Sequence, residues 1–382
     1  MYQRFINLSK LLEKKSFFFF GPRSTGKSTL IEEQLPEAKI YDLLEDETYR
    51  RLLASPKILD EENKDYDGII VIDEVQKLPK ILDEVHRLIQ KKKKKFLLTG
   101  SSARKLRTQG TNLLAGRAWQ ANLFPLTSNE ITDFNLLKYL NIGGLPQVYT
   151  SSDPIEELTS YIGTYLREEI KAEGLVRNLQ SFNNFLDVMA LSNGQEINYE
   201  SLASDAQTPT STLKNYIQIL DDTLIGFSLK GYTKTVKRKA TVRAKHYFFD
   251  IGVVNILAKR FDIQEKSTLF GASFEHFIIL EIRAYISYSR SHHEMFYWRS
   301  TTQMEVDLII SDLLAIEIKG TSLVSDKHLK GLRALKEENL IKKYIIVSLD
   351  RNLRITDDEI YIYPWAQFLK KLWGKELIIE TF

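Results

Sequence analysis

The sequence predicts an α/β protein of several domains, and three stretches carry this prediction. GPRSTGKS at residues 21–28 follows the apolar run FFFF and precedes a helical pattern. GIIVIDE at residues 68–74 is a β-branched run, typical of a parallel strand that is buried on both faces. EVDLIISDLLAIEIK at residues 305–319 alternates as two strands joined by a short turn. A chain of 382 residues is long enough for two or three such domains.

The composition is that of a folded protein, with 43% hydrophobic and 27% charged residues. A net charge of +3 argues against a nucleic-acid-binding field over the whole chain, so any basic patch has to be local. The chain has no cysteine, which excludes disulfides and thiolate zinc sites and fits a reducing compartment. No segment approaches the roughly 20 apolar residues of a membrane span. We therefore expect a cytoplasmic protein without membrane partners.

The stretch at residues 21–28 has the spacing of a phosphate loop, in the strand-to-helix context that such a loop requires. Its two glycines allow a backbone curl whose N–H groups point at a phosphate, and the helix N-terminus adds its positive dipole end. Lys27 would reach the β- and γ-phosphates of ATP, and Ser28 would bind Mg²⁺. A glycine-bearing strand-to-helix turn is the alternative. The predicted nucleotide-binding residues are Gly21, Pro22, Arg23, Ser24, Thr25, Gly26, Lys27, Ser28 and Thr29.

Acidic and basic side chains at later strand ends complete the predicted ATP site. We expect Asp73 to hold Mg²⁺ through water and Glu74 to polarise the attacking water, although a helix N-cap also explains this pair when it is taken alone. Ser101 follows the next apolar run and could contact the γ-phosphate. Arg104 and Arg117 are candidates for an arginine finger that reaches a neighbouring subunit, and surface or ion-paired arginines are the alternative.

The phosphate loop, IIVIDEVQKLP, LLTGSSARKL, LLAGRAWQANLFPLT and the GGLP turn together resemble the bacterial and archaeal AAA+/STAND-type ATPases. Those relatives carry a C-terminal domain of unknown function that is related to restriction endonucleases. The first two motifs are general to phosphate-loop NTPases, whereas the later ones in this order are more specific. The resemblance covers essentially the whole chain and implies ATP and Mg²⁺ as cofactors.

The middle of the chain predicts short helices, at about residues 153–173, 182–191, 199–205 and 209–224. SLASDAQTPTSTLKNYIQIL has a helix-turn-helix outline, and a basic stretch without acidic residues follows it. Together they favour a winged-helix DNA-binding module, and an interdomain adaptor with a solvated basic hairpin is the alternative. The cations of this stretch are Lys230, Lys234, Lys237, Arg238, Lys239, Arg243 and Lys245.

The two strands predicted at Glu305–Ile310 and Leu314–Lys319 place acidic side chains together. A three-residue connection sets Asp307 opposite Glu317, and such carboxylates repel each other unless a divalent cation lies between them. The arrangement resembles the PD-(D/E)xK nuclease site, although Val306 stands where that motif has proline. By that resemblance Asp307 and Glu317 bind Mg²⁺, Lys319 orients water or stabilises transition-state charge, and Glu275 is an auxiliary ligand. The alternative is a charged hairpin in an inactive nuclease fold.

These predictions give four domains. They are an AAA+ ATPase domain at 1–130, a helical lid or linker at 131–178, a winged-helix-like module at 179–245 and a restriction-endonuclease-like α/β domain at 246–382. We expect an oligomeric ATPase that binds duplex or branched DNA and processes it. An ATP-driven regulatory switch with an inactive nuclease fold is the first alternative, and a small-molecule kinase is the second.

Overall fold

A computed structural model of the protein describes residues 2–101, 104, 106, 114–166 and 178–378. The chain divides into two compact units. The first comprises Gln3–Phe124 and the short segment Asp222–Ile225, and the second comprises Pro125–Asp221 and the residues from Gly226 onward. The first unit thus ends before the predicted boundary at residue 130. None of the described helices is long and apolar enough to cross a membrane.

The first unit is built on a five-stranded sheet in which every strand pair is parallel, with the order β2-β3-β4-β1-β5. The central strands are apolar on both faces, and the side chains of Phe19, Ile70 and Leu98 are completely buried. The strands are β1 (Ser16–Phe20), β2 (Lys39–Asp42), β3 (Ile69–Asp73), β4 (Lys95–Gly100) and β5 (Ala118–Asn122).

Helices cover this sheet with their apolar faces. In α5, for example, Ile81, Val85 and Leu88 recur at helical spacing and pack into the same core as the strands. Two lysines at or just beyond the C-terminal end of this helix form ion pairs, Lys92 with Asp60 and Lys94 with Asp67. The helices of this unit are α1 (Leu8–Lys14), α2 (Lys27–Gln34), α3 (Asp46–Ala54), α4 (Ile58–Glu62) and α5 (Ile81–Lys92).

Over its described residues, the second unit begins with six short helices, of which the last four overlap the segments predicted to be helical and the first two were not predicted individually. They are α6 (Leu136–Ile142), α7 (Pro146–Thr150), α8 (Pro154–Ser160), α9 (Leu179–Leu191), α10 (Tyr199–Asp205) and α11 (Thr210–Asp222). The helix predicted at 153–173 is present as α8, which continues in π-helical turns over Tyr161–Leu166; residues 167–173 lie outside the described part of the chain. Side-chain caps at Asn178 and Asn198 begin α9 and α10.

An eight-stranded mixed sheet follows, with the order β12-β13-β11-β10-β9-β8-β6-β7. Its strands are β6 (Gly226–Gly231), β7 (Lys245–Phe248), β8 (Met295–Arg299), β9 (Glu305–Ile310), β10 (Leu314–Lys319), β11 (Lys343–Ser348), β12 (Arg354–Ile355) and β13 (Ile360–Pro364). The accompanying helices are α12 (Ile251–Leu257), α13 (Thr268–Ser289), α14 (Lys330–Lys336) and α15 (Trp365–Trp373). From α13 to β11 the order is helix, three strands, helix and strand.

The basic stretch between β6 and β7 differs from the prediction of one β-like wing. Only its two ends are strands, and these ends pair with each other while β6 also pairs with β8. The predicted domain boundary between residues 245 and 246 therefore falls inside β7, in the same sheet as β8, β9 and β10. The loop between these ends is held by Glu338, whose carboxylate accepts the backbone N–H groups of Val236, Lys237 and Arg238.

The GGLP turn has a structural role in the second unit. Gly143 has φ +73°, where a side chain would be strained and would also collide with the Asp250 carboxylate. Asp250 accepts the N–H of Gly144 at 2.8 Å and caps α12 by accepting the N–H of Val253 at 3.1 Å. Complete burial raises the pKa of Asp250 to about 6, although the backbone N–H groups oppose this shift.

Candidate nucleotide site and a buried carboxylate cluster

The phosphate loop connects the end of β1 to the first residue of α2, as the spacing predicts. Gly26 has φ +91° and Ser24 has φ +60°, so the backbone curls through the left-handed region twice. A Cβ at Gly21 would lie 2.5 Å from the carbonyl oxygen of Leu123, which closes this position to larger residues. The loop geometry thus depends on both glycines of the motif.

Lys27 is turned back onto the loop. Its Nζ donates to the carbonyl oxygens of Gly21 at 2.6 Å and Pro22 at 3.0 Å, and the side chain is buried. Thr25 Oγ1 donates to Pro22 O at 2.8 Å, whereas Ser28 is exposed in the first turn of α2. Lys27 and Ser28 are the residues that the phosphate-loop pattern assigns to phosphate and to Mg²⁺, and these roles stay predictions.

Arg4 supports the loop from outside the motif. Its guanidinium donates to Thr25 O at 2.8 Å and to Phe124 O at 2.6 Å, so it joins the phosphate loop to the segment after β5. Sequence reasoning missed this residue because Arg4 lies far from the loop along the chain. The stretch MYQRFIN around Arg4 contains no motif that would indicate this contact.

The acidic pair lies at the carboxyl end of β3, on the same edge of the sheet as the phosphate loop. Asp73 Oδ1 accepts the hydroxyl of Thr99 and the backbone N–H of Glu74, the latter at 3.1 Å. Glu74 has φ +55°, an unusual conformation for this residue that costs of the order of 1–3 kcal/mol. Such strain is retained where the surrounding structure fixes a side chain in one direction.

Gln76 fixes that direction. Its amide donates to Glu74 Oε2 and, at 3.4 Å, to the hydroxyl of Ser101. The predicted γ-phosphate sensor is therefore linked to the predicted water-polarising carboxylate through one amide. A side chain at Gly100 would collide with Gln76, so this glycine leaves room for the bridge. Gln76 and Thr99 are polar residues of the site that the sequence reasoning did not single out.

The two candidate arginines have different surroundings in the first unit. Arg104 forms an ion pair with Asp222, which matches the ion-paired alternative for this residue. Arg117 is half-buried just before β5, and its backbone N–H donates to Leu114 O at 2.7 Å. Its assignment as an arginine finger stays a prediction.

A second group of charged side chains lies in the eight-stranded sheet. The antiparallel register of β9 and β10 pairs Leu314 with Ile310 and Ile316 with Leu308. One further residue along this register, Glu317 stands opposite Asp307, as the three-residue turn predicts. Both carboxylates are buried, with exposed fractions of 4% for Asp307 and 6% for Glu317.

Lys319 is the cation nearest to these two carboxylates. Its Nζ lies 2.6 Å from Glu317 Oε1 and 3.3 Å from Asp307 Oδ2, and the latter oxygen also accepts the N–H of Ile318 at 2.8 Å. The second oxygen of Glu317 is buried and has no hydrogen-bond partner. Burial and the charge of Asp307 raise the pKa of Glu317 well above its usual range.

Glu275 joins this group from α13, and its partners come from β7. Tyr247 donates its hydroxyl to Glu275 Oε1 at 2.7 Å, and Lys245 Nζ lies 3.5 Å from the same oxygen. Lys245 Nζ also lies 2.7 Å from Glu305 Oε1. Burial and the charge of Asp307 raise the pKa of Glu275. We call Glu275, Glu305, Asp307 and Glu317 the carboxylate cluster.

Lys245 corrects one prediction. The sequence placed it among the DNA-facing cations of a basic wing, but its side chain is only 5% exposed and points into the carboxylate cluster. Burial opposes its charge, yet Glu275, Asp307 and Glu305 outweigh that effect and raise the pKa of Lys245. The sequence carries no signal for this burial, because Lys245 stands at the end of a basic run.

The donor chemistry of the cluster suits a hard divalent cation, because all its ligands are oxygens and one oxygen of Glu317 is unpartnered. Over the described residues, however, no three His, Cys, Asp or Glu side chains are gathered in a way that would hold a metal ion. The ammonium groups of Lys245 and Lys319 stand beside the oxygens instead. The carboxylate oxygens are suitable ligands for Mg²⁺, but in this arrangement they form ion pairs with Lys245 and Lys319.

Three family models match consecutive parts of the chain. Residues 13–132 match the AAA domain, residues 133–264 match a domain of unknown function (DUF8612), and residues 270–368 match another domain of unknown function (DUF4143). The AAA match covers the parallel sheet, the phosphate loop and the acidic pair. The first unit is a P-loop ATPase domain of the AAA type.

Beyond the AAA domain, the relatives extend over most of the chain. An uncharacterized protein of Mycobacterium tuberculosis is 26% identical over 318 residues, which are 80% of this chain and 70% of that protein. An uncharacterized protein of Haemophilus influenzae is 22% identical over 72% of this chain and 77% of its own length. A STAND protein with a tetratricopeptide repeat sensor from Pyrococcus horikoshii aligns with a TM-score of 0.23 and 16% identity, over 72% of this chain and 45% of that structure.

Proposed function

We propose that the protein is a magnesium-dependent ATPase that binds DNA and processes it through its C-terminal unit. The observation that carries the ATPase part is the Glu74–Gln76–Ser101 bridge beside the phosphate loop, at the carboxyl edge of a parallel sheet. In such sheets ligands bind at this edge. The bridge joins a candidate base to a candidate phosphate sensor.

The candidate site residues of the AAA domain each have a role in this proposal. The loop N–H groups and Lys27 bind the phosphates, and Ser28 with Asp73 would hold Mg²⁺, which neutralises charge on the transferred phosphoryl group. Glu74 accepts a proton from, or orients, the attacking water, and Gln76 keeps its carboxylate aimed. The left-handed backbone of Glu74 is strain that this aim requires.

Lys27→Ala tests the ATP site. We expect ATP hydrolysis to fall by at least about a hundredfold, because the ammonium that stabilises phosphate charge is lost. Lys91→Ala, at an exposed lysine in the last turn of α5, is the matched control and should leave turnover unchanged. Unchanged hydrolysis in Lys27→Ala would remove the assignment.

The carboxylate cluster supports the DNA-processing part of the proposal. Asp307 and Glu317 would hold Mg²⁺, with Glu275 as an auxiliary ligand, only after the lysine ammonium groups move away from their oxygens, and the ion would supply a Lewis acid at a phosphodiester. Lys319 places its ammonium between Asp307 and Glu317, where it can orient water or stabilise developing negative charge. The unpartnered oxygen of Glu317 is the observation that favours a ligand here over an internal ion pair.

The nuclease assignment is tested on linear duplex, single-stranded and branched DNA with Mg²⁺. We expect the wild-type protein to cut at least one of these substrates and Glu317→Ala to cut none, because a carboxylate ligand is lost. Equal cutting by both proteins, or none by either, would favour the regulatory alternative. In that alternative the C-terminal unit only binds DNA or a protein, and nucleotide state switches the binding.

Homo-oligomerisation belongs to the same proposal. An arginine finger acts across a subunit boundary, so Arg117 can serve the ATP site only in an assembly. Light scattering with and without ATP should show a larger particle when ATP is bound. A monomer under both conditions would exclude a finger in trans.

A further inference from the structure

Strand β7 brings two polar side chains to the carboxylate cluster that lie outside the Asp307, Glu317 and Lys319 motif. Lys245 and Tyr247 are two residues apart, so they project from the same face of the strand. Both contact the same oxygen of Glu275, at 3.5 Å from the Lys245 ammonium and 2.7 Å from the Tyr247 hydroxyl. Residues from β7 therefore decide how Glu275 is held.

The charges of the cluster are nearly balanced by its own side chains. Lys319 lies between Asp307 and Glu317, and Lys245 lies between Glu275 and Glu305. Arg299 adds a weaker contact, 3.7 Å from Glu305 Oε2. Four carboxylates thus face three cations, and one buried oxygen of Glu317, a side chain that is more than nine-tenths buried, has no hydrogen-bond partner.

We propose that Lys245 is the resident counter-ion of the carboxylate cluster, which holds Glu275 and Glu305 together and competes with a divalent cation for Glu275. This inference rests on the proposed metal-dependent function of the same cluster. Lys245 acts through Glu275 and is therefore a positioning residue. A divalent cation finds an unpartnered oxygen at Glu317 and has to displace an ammonium to reach Glu275.

The surroundings of Lys245 support this competition. Its ammonium is desolvated, lies 5.3 Å from the centre of the Tyr297 ring and is 2.7 Å from its nearest carboxylate oxygen. A buried cation held this way lowers the negative potential at neighbouring oxygens, because charges interact strongly where water is excluded. Removing the Lys245 ammonium would leave Glu275 available to a metal ion. Without a metal ion, the negative charge of Glu275 would then lack its lysine counter-ion.

The test is Mn²⁺ titration of the full-length protein without nucleotide, followed by calorimetry, in which the component lost in Glu317→Gln defines the cluster. Lys245→Met should bind Mn²⁺ at least about tenfold more tightly than the wild type. Glu305→Gln should bind it more weakly, because Lys245 then turns fully to Glu275. Lys370→Met, at an exposed lysine of α15, is the matched control and should not change the affinity.

Opposite signs in the two variants distinguish competition from a structural role, which would weaken binding in both. Equal or weaker binding in Lys245→Met would overturn the inference, and if that variant does not fold, unchanged or tighter binding in Glu305→Gln would overturn it. If the wild type shows no Glu317-dependent binding but Lys245→Met does, the inference stands while the proposed metal-dependent activity fails. If neither the wild type nor Lys245→Met shows Glu317-dependent Mn²⁺ binding, both the inference and the proposed metal-dependent activity are wrong.

Discussion

The ATP site and the carboxylate cluster are both charged, but they are neutralised in different ways. In the candidate ATP site Ser28 is exposed and Asp73 half-buried, whereas Lys27 and Glu74 are buried. In the carboxylate cluster Asp307 and Glu317 are buried, and lysines from two strands contact the acids. The first arrangement is built to receive a ligand's charge, whereas the second already contains most of its own countercharge.

Glu74→Gln gives the largest expected effect and tests whether the candidate ATP site depends on the Glu74 carboxylate. The amide keeps the size of the side chain but cannot accept a proton, so we expect ATP turnover to fall by about 10²–10⁴-fold. ATP affinity should stay within about threefold, because the phosphate-binding groups are intact. Turnover and fluorescent-nucleotide binding measure the two effects separately.

Glu61→Gln is the control for this change, since Glu61 is an exposed acid of the same unit. It should leave both turnover and affinity unchanged. A Glu74→Gln protein with wild-type turnover would assign water activation to another group. In that case the strained backbone of Glu74 would serve only the turn after β3.

The residues of the candidate ATP site could be assigned from the sequence because they lie in contiguous motifs, and their roles stay predictions. The loop, the acidic pair and Ser101 each follow an apolar strand, and the edge of a parallel sheet gathers such strand ends. The strands Ser16–Phe20, Glu305–Ile310 and Leu314–Lys319 have the predicted limits, and the register that sets Asp307 opposite Glu317 follows from the short turn.

The partners of the carboxylate cluster could not be predicted in the same way. Lys245 and Glu305 are 60 positions apart and meet only because β6 joins the sheet beside β8. A lysine in a basic run has the composition of a solvated surface, and only tertiary pairing shows that it is buried. Arg4 is a similar case in the first unit, since its contacts with Thr25 and Phe124 depend on the folded chain.

A second prediction concerns Glu281, a buried acid of the second unit outside the cluster. It accepts hydrogen bonds from the Ser128 N–H at 2.6 Å and from Trp373 Nε1 at 2.7 Å, yet burial raises the pKa of Glu281 to about 7. Between the ordinary pKa of a glutamate and pH 7, the folded protein therefore holds a proton on Glu281 that the unfolded chain has already released. This contribution to stability is complete at low pH and is lost as the pH rises through about 7.

We expect the free energy of unfolding to fall by up to about 3 kcal/mol between pH 5 and pH 8 from this group. Urea denaturation at several pH values, followed by Trp fluorescence, should show a smaller slope in Glu281→Gln. Glu265→Gln, at an exposed acid, should keep the wild-type slope. Some dependence should remain near pH 6 from Asp250. An unchanged slope in Glu281→Gln would mean that Glu281 stays ionised when folded.

A third prediction separates the two interpretations of Arg104. As a partner of Asp222, Arg104 stabilises the first unit, so Arg104→Ala and Asp222→Asn should each lower the free energy of unfolding by about 1 kcal/mol. ATP turnover of the folded variants should stay within about threefold of the wild type. A fall of about 10³-fold in Arg104→Ala alone would instead assign the finger to Arg104. Turnover assays of both variants decide between them.

The smallest expected effect concerns the division of the basic stretch into inward and outward cations. Lys245 contacts the carboxylate cluster and Arg238 pairs with Glu337 at 2.7 Å, so the proposed DNA contact would fall to Lys230, Lys234, Lys237, Lys239 and Arg243. If these five neutralise phosphates, the logarithm of the DNA affinity should fall with the logarithm of the salt concentration with a slope of roughly −4 to −5.

Lys239→Ala, at an exposed position, should make that slope less steep by about one unit, because one fewer counterion is released. Fluorescence anisotropy over a range of salt concentrations measures this slope, and Lys91→Ala should leave it unchanged. The reverse result, with only Lys91→Ala altering the slope, would move the proposed DNA contact to the lysines at the C-terminal end of α5 and would make the outward face of the basic stretch a surface for another partner.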